Sequence, residues 1–195
     1  MKSISTSNVC NCDVGLIDIT GLCTPGNVTE IISSTPFWQQ QTIIENLSIP
    51  EKKPDVEQIN SINIAVEILK KTVIKTPRSF TNTTPPVAVP SLEGKLLTGR
   101  KLVIEGEICQ KILYTADEPT QSVHSVDFYI PFSSYIVIPR EITITDANGN
   151  PVTVDTLNVN FTVGACVENV FACLEDVRTI FKQVVMLLYA VPTNV

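Results

Sequence analysis

The sequence predicts an all-β fold, an antiparallel β-sandwich or barrel of about eight or nine strands preceded by an extended N-terminal arm. Two observations lead to this prediction. From Phe37 onward, apolar residues recur at alternate positions in most segments, which is the period of a strand with one buried face. Pro, Gly and Asn separate these segments, as is typical of turns between short strands.

The first 35 residues differ in composition from the rest of the chain. Ser, Thr, Asn and Gly supply nearly half of them, and Lys2 is the only basic residue. One apolar patch, VGLIDI, predicts a short strand without a core of its own. Its candidate strand residues are Val14, Leu16, Ile17 and Ile19. We therefore predict a connector arm over residues 1–35 and a β-domain over residues 36–195.

The first strands of the β-domain follow the arm directly. The segment FWQQQTIIENLSIP predicts a strand that ends at Pro50, and Pro54 with Asp55 predicts the start of a short helical turn. The next segment, INIAVEILKKTVIKT, predicts a strand with one buried face. Its alternating apolar residues are Ile62, Ile64, Val66 and Ile68.

The middle of the chain predicts two further long strands after a proline-rich segment. TPRSFTNTTPPVAVP holds four of the chain's prolines and reads as a loop or crossing segment. KLLTGRKLVIEGEICQKILYT and SVHSVDFYIPFSSYIVIP then resume the strand pattern. The first of them alternates at Leu102, Ile104, Ile108 and Ile112.

The last third predicts a hairpin and two strands. Asn148-Gly149 lies between two strand-like runs, and both residue types tolerate the positive φ angles of a tight hairpin turn. A further strand follows, with alternating residues Leu157, Val159, Phe161 and Val163. The final run, VRTIFKQVVMLLYAVP, is apolar at both odd and even positions and predicts a central strand.

Charge and hydropathy exclude two classes of partner. The formal net charge of −6 offers no basic stripe to neutralise phosphates, so we expect no nucleic-acid partner. No apolar run has the length of a bilayer span. The N-terminus MKSISTSNVC lacks an apolar h-region, which predicts synthesis in the cytoplasm without a signal peptide.

Several motifs together resemble one known family. They are KPDVEQINSINIAVEI, TGRKLVIEG, ILY, VHS…F…PF and the late strand led by an arginine, VRTIFKQVVMLLYAVP. This combination resembles the SPOCS domain of clostridial sporulation proteins, over roughly residues 37–192. The resemblance implies a β-rich module of spore assembly and surface layers rather than an enzyme.

A catalytic site is the less favoured interpretation of the chemistry-bearing residues. His124 is the only histidine, and a hydrolase would need it beside a nucleophile such as Cys109. The alternative is that His124 packs or hydrogen-bonds on a strand. Because no phosphate loop or metal-binding helix is present, we predict no catalytic residues, no cofactor and no metal site.

The six cysteines leave several interpretations open. Cys10, Cys12 and Cys23 could supply three zinc ligands, but a structural zinc site normally takes four; unpaired thiols are another alternative, and disulfides are favoured. On a strand, Cys10 and Cys12 would project from one face about 6.5 Å apart, too far to bond each other. Both could reach Cys23 or Cys109, in the same chain or another. Cys166 and Cys173 could form a hairpin pair or lie buried as thiols, which is favoured.

The arm and the resemblance together predict the function. About 30 extended residues span roughly 100 Å, so VGLIDI could join a neighbour's sheet as an added strand. Because such a head-to-tail contact does not close, it propagates into a fibre. We predict a self-assembling subunit deposited on the spore surface, forming a fibre or appendage, or else a coat or exosporium layer. Intersubunit disulfides would lock it; the candidates are Cys10, Cys12, Cys23 and Cys109.

The alternative prediction is a monomeric spore-coat or exosporium interaction module that docks to a morphogenetic partner. In that case the arm acts as a docking peptide and forms no covalent polymer. The predicted partners are therefore a second copy of this chain or other spore-coat and exosporium proteins.

Overall fold

A computed structural model describes residues 17–78, 97–146 and 149–193. These residues form nine strands, one α-helix and one short 3-10 helix. In chain order the elements are β1 (Asp18–Thr20), α1 (Pro25–Ser34), β2 (Trp38–Ser48), β3 (Val56–Arg78), β4 (Thr98–Ala116), β5 (Val123–Val137), β6 (Glu141–Thr145), β7 (Pro151–Asp155), the 3-10 helix Thr156–Asn158, β8 (Asn160–Asp176) and β9 (Thr179–Thr193).

Two facing sheets form the body of the molecule. Sheet A has the strand order β1-β3-β4-β5, sheet B has the order β2-β9-β8, and β6 pairs with β7 in a separate hairpin. All pairings are antiparallel except that of β1 with β3, which is parallel. The described strands thus form a sandwich and not a closed barrel, and the all-β prediction is confirmed.

The apolar side chains predicted to alternate along the strands form the core between the two sheets. The even-numbered apolar residues of β4 are at most 1% exposed, and they meet apolar residues of β8 and β9 in two buried clusters. These β4 residues are Leu102, Ile104, Ile108 and Ile112. β9 lies in the centre of sheet B, as its apolar residues on both faces predicted.

The predicted hairpin between residues 145 and 151 is present as β6 and β7. Gly149 has a φ of +86°, and its N–H donates to the carbonyl of Asp146 at 3.0 Å. Asn148, the other predicted turn residue, lies outside the described residues. Ile142 of β6 is buried in the second core cluster, so the hairpin covers one end of the sandwich.

The predicted helical turn at Pro54 and Asp55 is wrong. This segment is a turn that leads into β3 at Val56. The physical reason is Arg178, whose guanidinium donates to the Asp55 carboxylate and to the carbonyls of Ile49, Pro50 and Lys53. These bonds hold the chain in a turn conformation.

The one described α-helix was not predicted, although its N-terminal signals are local. The Thr24 hydroxyl accepts from the N–H of Asn27 at 3.3 Å, and the Asn27 side chain accepts from the N–H of Thr24 at 3.1 Å. This is a reciprocal capping box, and Pro25 occupies the first helical turn. The helix packs against β9, so this half of the arm lies on the β-domain.

Candidate functional site: the N-terminal clasp and the cysteines

Residues 17–23, here called the clasp, attach the middle of the predicted arm to both sheets. Asp18, Ile19 and Thr20 pair in parallel with residues 61–63 of β3. Ile17 and Ile19 pack against the first core cluster. The predicted VGLIDI strand is therefore present at Asp18 and Ile19, but its partner strand belongs to the same chain rather than to a neighbour. Val14 and Leu16 lie outside the described residues.

Gly21 ends this pairing after three residues. Its φ is +96°, and a Cβ at this position would lie 1.9 Å from the carbonyl oxygen of Ile64. Any other residue would have to displace the β3 backbone or leave the left-handed conformation. The glycine thus lets the chain turn from sheet A towards sheet B.

Cys23 completes the clasp on sheet B. Its N–H donates to the carbonyl of Val167 at 2.8 Å, and its sulfur is bonded to Cys166 with a Cα–Cα distance of 5.7 Å. Cys166 lies opposite Leu187 in the register of β8 and β9, and both residues are at most 1% exposed. The clasp therefore joins edge strand β8 of sheet B to the β3 side of sheet A.

This disulfide corrects two predictions. Cys23 was predicted to bond another subunit, but it bonds Cys166 of its own chain. Cys166 and Cys173 were predicted as a hairpin pair or as buried thiols, and the hairpin pair is wrong. Both residues lie on the single strand β8, where seven residues span about 23 Å. Cys173 is a buried thiol, in line with the favoured alternative.

Cys109 is a half-buried free thiol on the outer face of sheet A. It lies opposite Ala65 of β3. Partial burial raises the pKa of the Cys109 thiol, and the nearby carboxylates of Glu107 and Glu67 raise it further. Because the thiolate is the reactive form, a raised pKa leaves less of this form at neutral pH. Cys10 and Cys12 lie outside the described residues.

His124 and Cys109 do not form a catalytic pair. His124 lies opposite Tyr114 in the register, whereas Cys109 lies opposite Tyr129, five residues or about 17 Å along the strand. Odd and even positions of β4 also face opposite sides of the sheet. The His124 ring stacks on Tyr114 with centroids 5.8 Å apart, and its Nε2 is 2.9 Å from the Ser122 hydroxyl. Packing and hydrogen bonding thus occupy this side chain.

Three polar side chains form a buried ionic group that no sequence pattern predicted. Lys182 is fully buried, and its ammonium lies 3.1 Å from Oε2 of Glu45. Gln110, from the opposite sheet, donates to the same oxygen at 3.0 Å and accepts from Lys182. Burial lowers the pKa of Lys182, while Glu45 opposes that change. Glu45 and Lys182 are paired in register, but the sequence alone does not reveal this register.

The edge of β3 beyond the clasp is open. Residues 65–78, here called the open edge, have no hydrogen-bonded strand on the side away from β4 within the described ranges. Leu69 is 60% exposed and Ile74 is 38% exposed along it. Such an edge presents unpaired N–H and C=O groups to an added strand.

Two absences apply to the described part of the chain. In residues 17–78, 97–146 and 149–193, no group of three or more His, Cys, Asp or Glu side chains could hold a metal ion. Over these same ranges, no helix combines the length and apolar character that crossing a membrane requires.

Comparison with known proteins identifies the family. No curated protein and no solved structure matches the chain. The family model described as "SipL, SPOCS domain" matches residues 55–163. This match lies within residues 37–192, where the motifs placed the resemblance, and it covers more than half of the chain. The chain therefore belongs to the SPOCS-domain family, which makes it a sporulation-related protein.

Proposed function

We propose that this protein is a non-enzymatic structural subunit of the spore surface that self-assembles through edge-strand addition and intersubunit disulfides. A fibre or appendage is the first form of assembly, and a coat or exosporium layer is the second. The observation that carries this proposal is the open edge of β3 beside a segment that already binds the same strand.

The clasp supplies the binding mode. β1 occupies only three positions of the 23-residue strand β3, so among the described residues most of this edge has no partner strand and could accept a second one. Added strands gain affinity from backbone hydrogen bonds, and side chains set their register. The exposed Leu69 and Ile74 give a second copy apolar surface to cover. The assembly contact therefore uses the open edge, while the clasp stays closed within each subunit.

Anchoring the arm at Cys23 determines which cysteines are left for intersubunit bonds. Because the clasp begins at Ile17, Cys10 and Cys12 lie 7 and 5 residues before the anchored segment, a reach of about 17–25 Å in an extended chain. Cys109 offers a half-buried thiol on the outer face of sheet A. Bonds between the arm cysteines of one subunit and Cys109 of the next would lock an assembly covalently.

The alternative function, a monomeric module that docks to a spore morphogenetic partner, is favoured by the closed clasp. In that case residues 17–23 only complete their own domain, and the open edge receives a partner strand rather than a second copy. Both functions fit synthesis in a reducing cytoplasm followed by exposure on the spore surface, where disulfides form and persist.

Denaturing electrophoresis without reductant separates the two functions. We expect oxidised full-length protein to give a ladder of covalent oligomers that collapses on reduction. Cys109→Ser should shorten or abolish the ladder, whereas the buried thiol variant Cys173→Ala is the matched control and should leave it intact. A single monomer band from oxidised wild-type protein would contradict covalent self-assembly and favour the docking module.

A further inference from the structure

The buried ionic group brings an amine, a carboxamide and a carboxylate together inside the core. Glu45, Gln110 and Lys182 are 7%, 3% and 0% exposed. Glu45 and Lys182 are paired in register on β2 and β9 of sheet B, whereas Gln110 comes from β4 of sheet A. Three strands from both sheets therefore each contribute one reactive group to the same buried point.

Apolar residues surround this group. The nearest residues on the same face of β4 and β9 are all 0% exposed, namely Ile108, Ile112, Ile180 and Val184. Burial lowers the pKa of Lys182, although Glu45 opposes the change. A lowered pKa favours the neutral amine, which is the nucleophilic form of a lysine. The apolar surroundings also exclude water that would compete for a carbonyl carbon.

The contacts place the reacting atoms side by side. The Lys182 ammonium donates to Oε1 of Gln110, and this oxygen is bonded directly to the carboxamide carbon. Oε2 of Glu45 lies 3.1 Å from Nζ of Lys182 and accepts from Nε2 of Gln110 at 3.0 Å. One carboxylate oxygen thus touches both the nitrogen that would attack and the nitrogen that would leave. Such positioning lowers the barrier of a reaction between two side chains.

The second oxygen of the Glu45 carboxylate gives an independent reason to expect proton transfer. This atom, Oε1, is buried and has no hydrogen-bond partner. A buried charge with an unsatisfied acceptor is costly. If Glu45 takes a proton from Lys182, both groups become neutral and this cost falls. The resulting pair is a free amine beside a carboxylic acid, which is the state that attack on an amide requires.

We propose that Lys182 and Gln110 become joined by an intramolecular isopeptide bond, with Glu45 carrying the protons. Glu45 first takes one proton from the ammonium, which leaves Nζ with a free electron pair. Nζ then attacks the Gln110 carboxamide carbon, so a new C–N bond forms and the bond from this carbon to Nε2 breaks. Glu45 gives its proton to the leaving nitrogen and takes one from Nζ. Ammonia is the only other product, and no oxidant, reductant or cofactor is consumed.

The new bond would join the two sheets through the centre of one subunit. It links β4 to β9 and uses neither the clasp nor the open edge, so it is independent of self-assembly. Unlike the bond between Cys23 and Cys166, it resists reductants. Protein in which the bond has not formed keeps the ionic group, so stability comparisons of that group use protein of the unshifted mass.

Mass spectrometry of the reduced full-length protein tests the proposal. Loss of ammonia lowers the mass by about 17 Da, and tryptic mapping assigns the loss to a site. We expect peptide 102–111 to be joined to peptide 179–195, because acylated Lys182 has no charge for trypsin to recognise. Separate, unmodified peptides from folded protein, even after prolonged incubation, would overturn the proposal.

Variants identify the roles of the three residues. Lys182→Met removes the nucleophile and should abolish the joined peptide. Glu45→Gln keeps the size and the hydrogen-bonding capacity of the side chain but removes the proton carrier, so it should also abolish the joined peptide. Lys52→Met makes the matched change at an exposed lysine and should leave the joined peptide at the wild-type level. Undiminished cross-linking in Glu45→Gln would overturn the proposed role of the carboxylate, and circular dichroism checks that each variant is folded.

Discussion

Replacing Cys23 with serine removes the covalent bond between the clasp and β8, and we expect it to cause a large loss of stability. The bond closes a loop between residues 143 positions apart in sequence. Cross-links act mainly by restricting the unfolded chain, and they restrict it more as the loop grows. Few single changes in this protein should therefore lower the free energy of unfolding as much.

The loop length sets the expected loss in the free energy of unfolding. A loop of 143 residues corresponds to an entropy of about 17 cal/mol/K, or about 5 kcal/mol at 25 °C. The half-buried position of Cys23 tolerates a serine hydroxyl, so loss of packing adds little. Replacing the buried partner Cys166 with serine would instead combine the loss of the cross-link with the cost of burying a hydroxyl group.

Urea unfolding measures the effect in three samples: oxidised wild type, reduced wild type and Cys23→Ser. We expect the variant and the reduced wild type to unfold at similar, lower urea concentrations and with a steeper dependence on urea, because the uncrosslinked unfolded chain exposes more surface. Cys109→Ser is the matched control and should shift the free energy by about 0.5 kcal/mol or less. Equal midpoints for the oxidised wild type and Cys23→Ser would refute the reasoning.

Three further predictions concern the buried ionic group, the clasp turn and the acid range. Lys182→Met leaves the Glu45 carboxylate buried without a cation and should lower the free energy of unfolding by about 3–5 kcal/mol. In urea unfolding, the double variant Lys182→Met with Glu45→Leu should recover most of this loss. No recovery would contradict the pairing of the two residues. Gly21→Ala should lower the free energy of unfolding by about 1–3 kcal/mol, because the added Cβ meets the Ile64 carbonyl. Amide hydrogen exchange in the clasp should become faster. Unchanged exchange would argue against this contact. A backbone N–H and Arg100 hold the pKa of Asp155 below its usual value, so its stabilisation is present above about pH 3.9 and is lost as pH falls through the lowered pKa. Asp155→Asn should accordingly flatten the acid dependence of stability, and an unchanged slope in acid titration would contradict this.

The strands were predictable because their signal is local. Alternation at Ile62 and Ile64, or at Ile104 and Ile108, follows directly from which face of a strand is buried, and the structure buries these residues. The central position of β9 was predictable for the same reason, since apolar residues at both parities indicate cover on both faces. The family motifs also lie in these strands.

Pairings between distant residues were not predictable. Cys23 and Cys166 are joined because the turn at Gly21 brings the chain from β3 to β8, and neither spacing nor composition encodes that path. Helix α1 is a different case, because Thr24 and Pro25 carry a recognisable N-terminal signal that the polar composition of the arm obscured.

Negative-stain electron microscopy of the purified full-length protein in oxidising buffer tests the central claim most directly. The proposed function predicts regular filaments or sheets. It also predicts that a proline introduced on the open edge, as in Leu69→Pro, prevents them, because proline removes a backbone donor that an added strand would need. Circular dichroism and urea unfolding would verify that this variant is folded. Dispersed particles of single-domain size in the wild-type sample would contradict self-assembly.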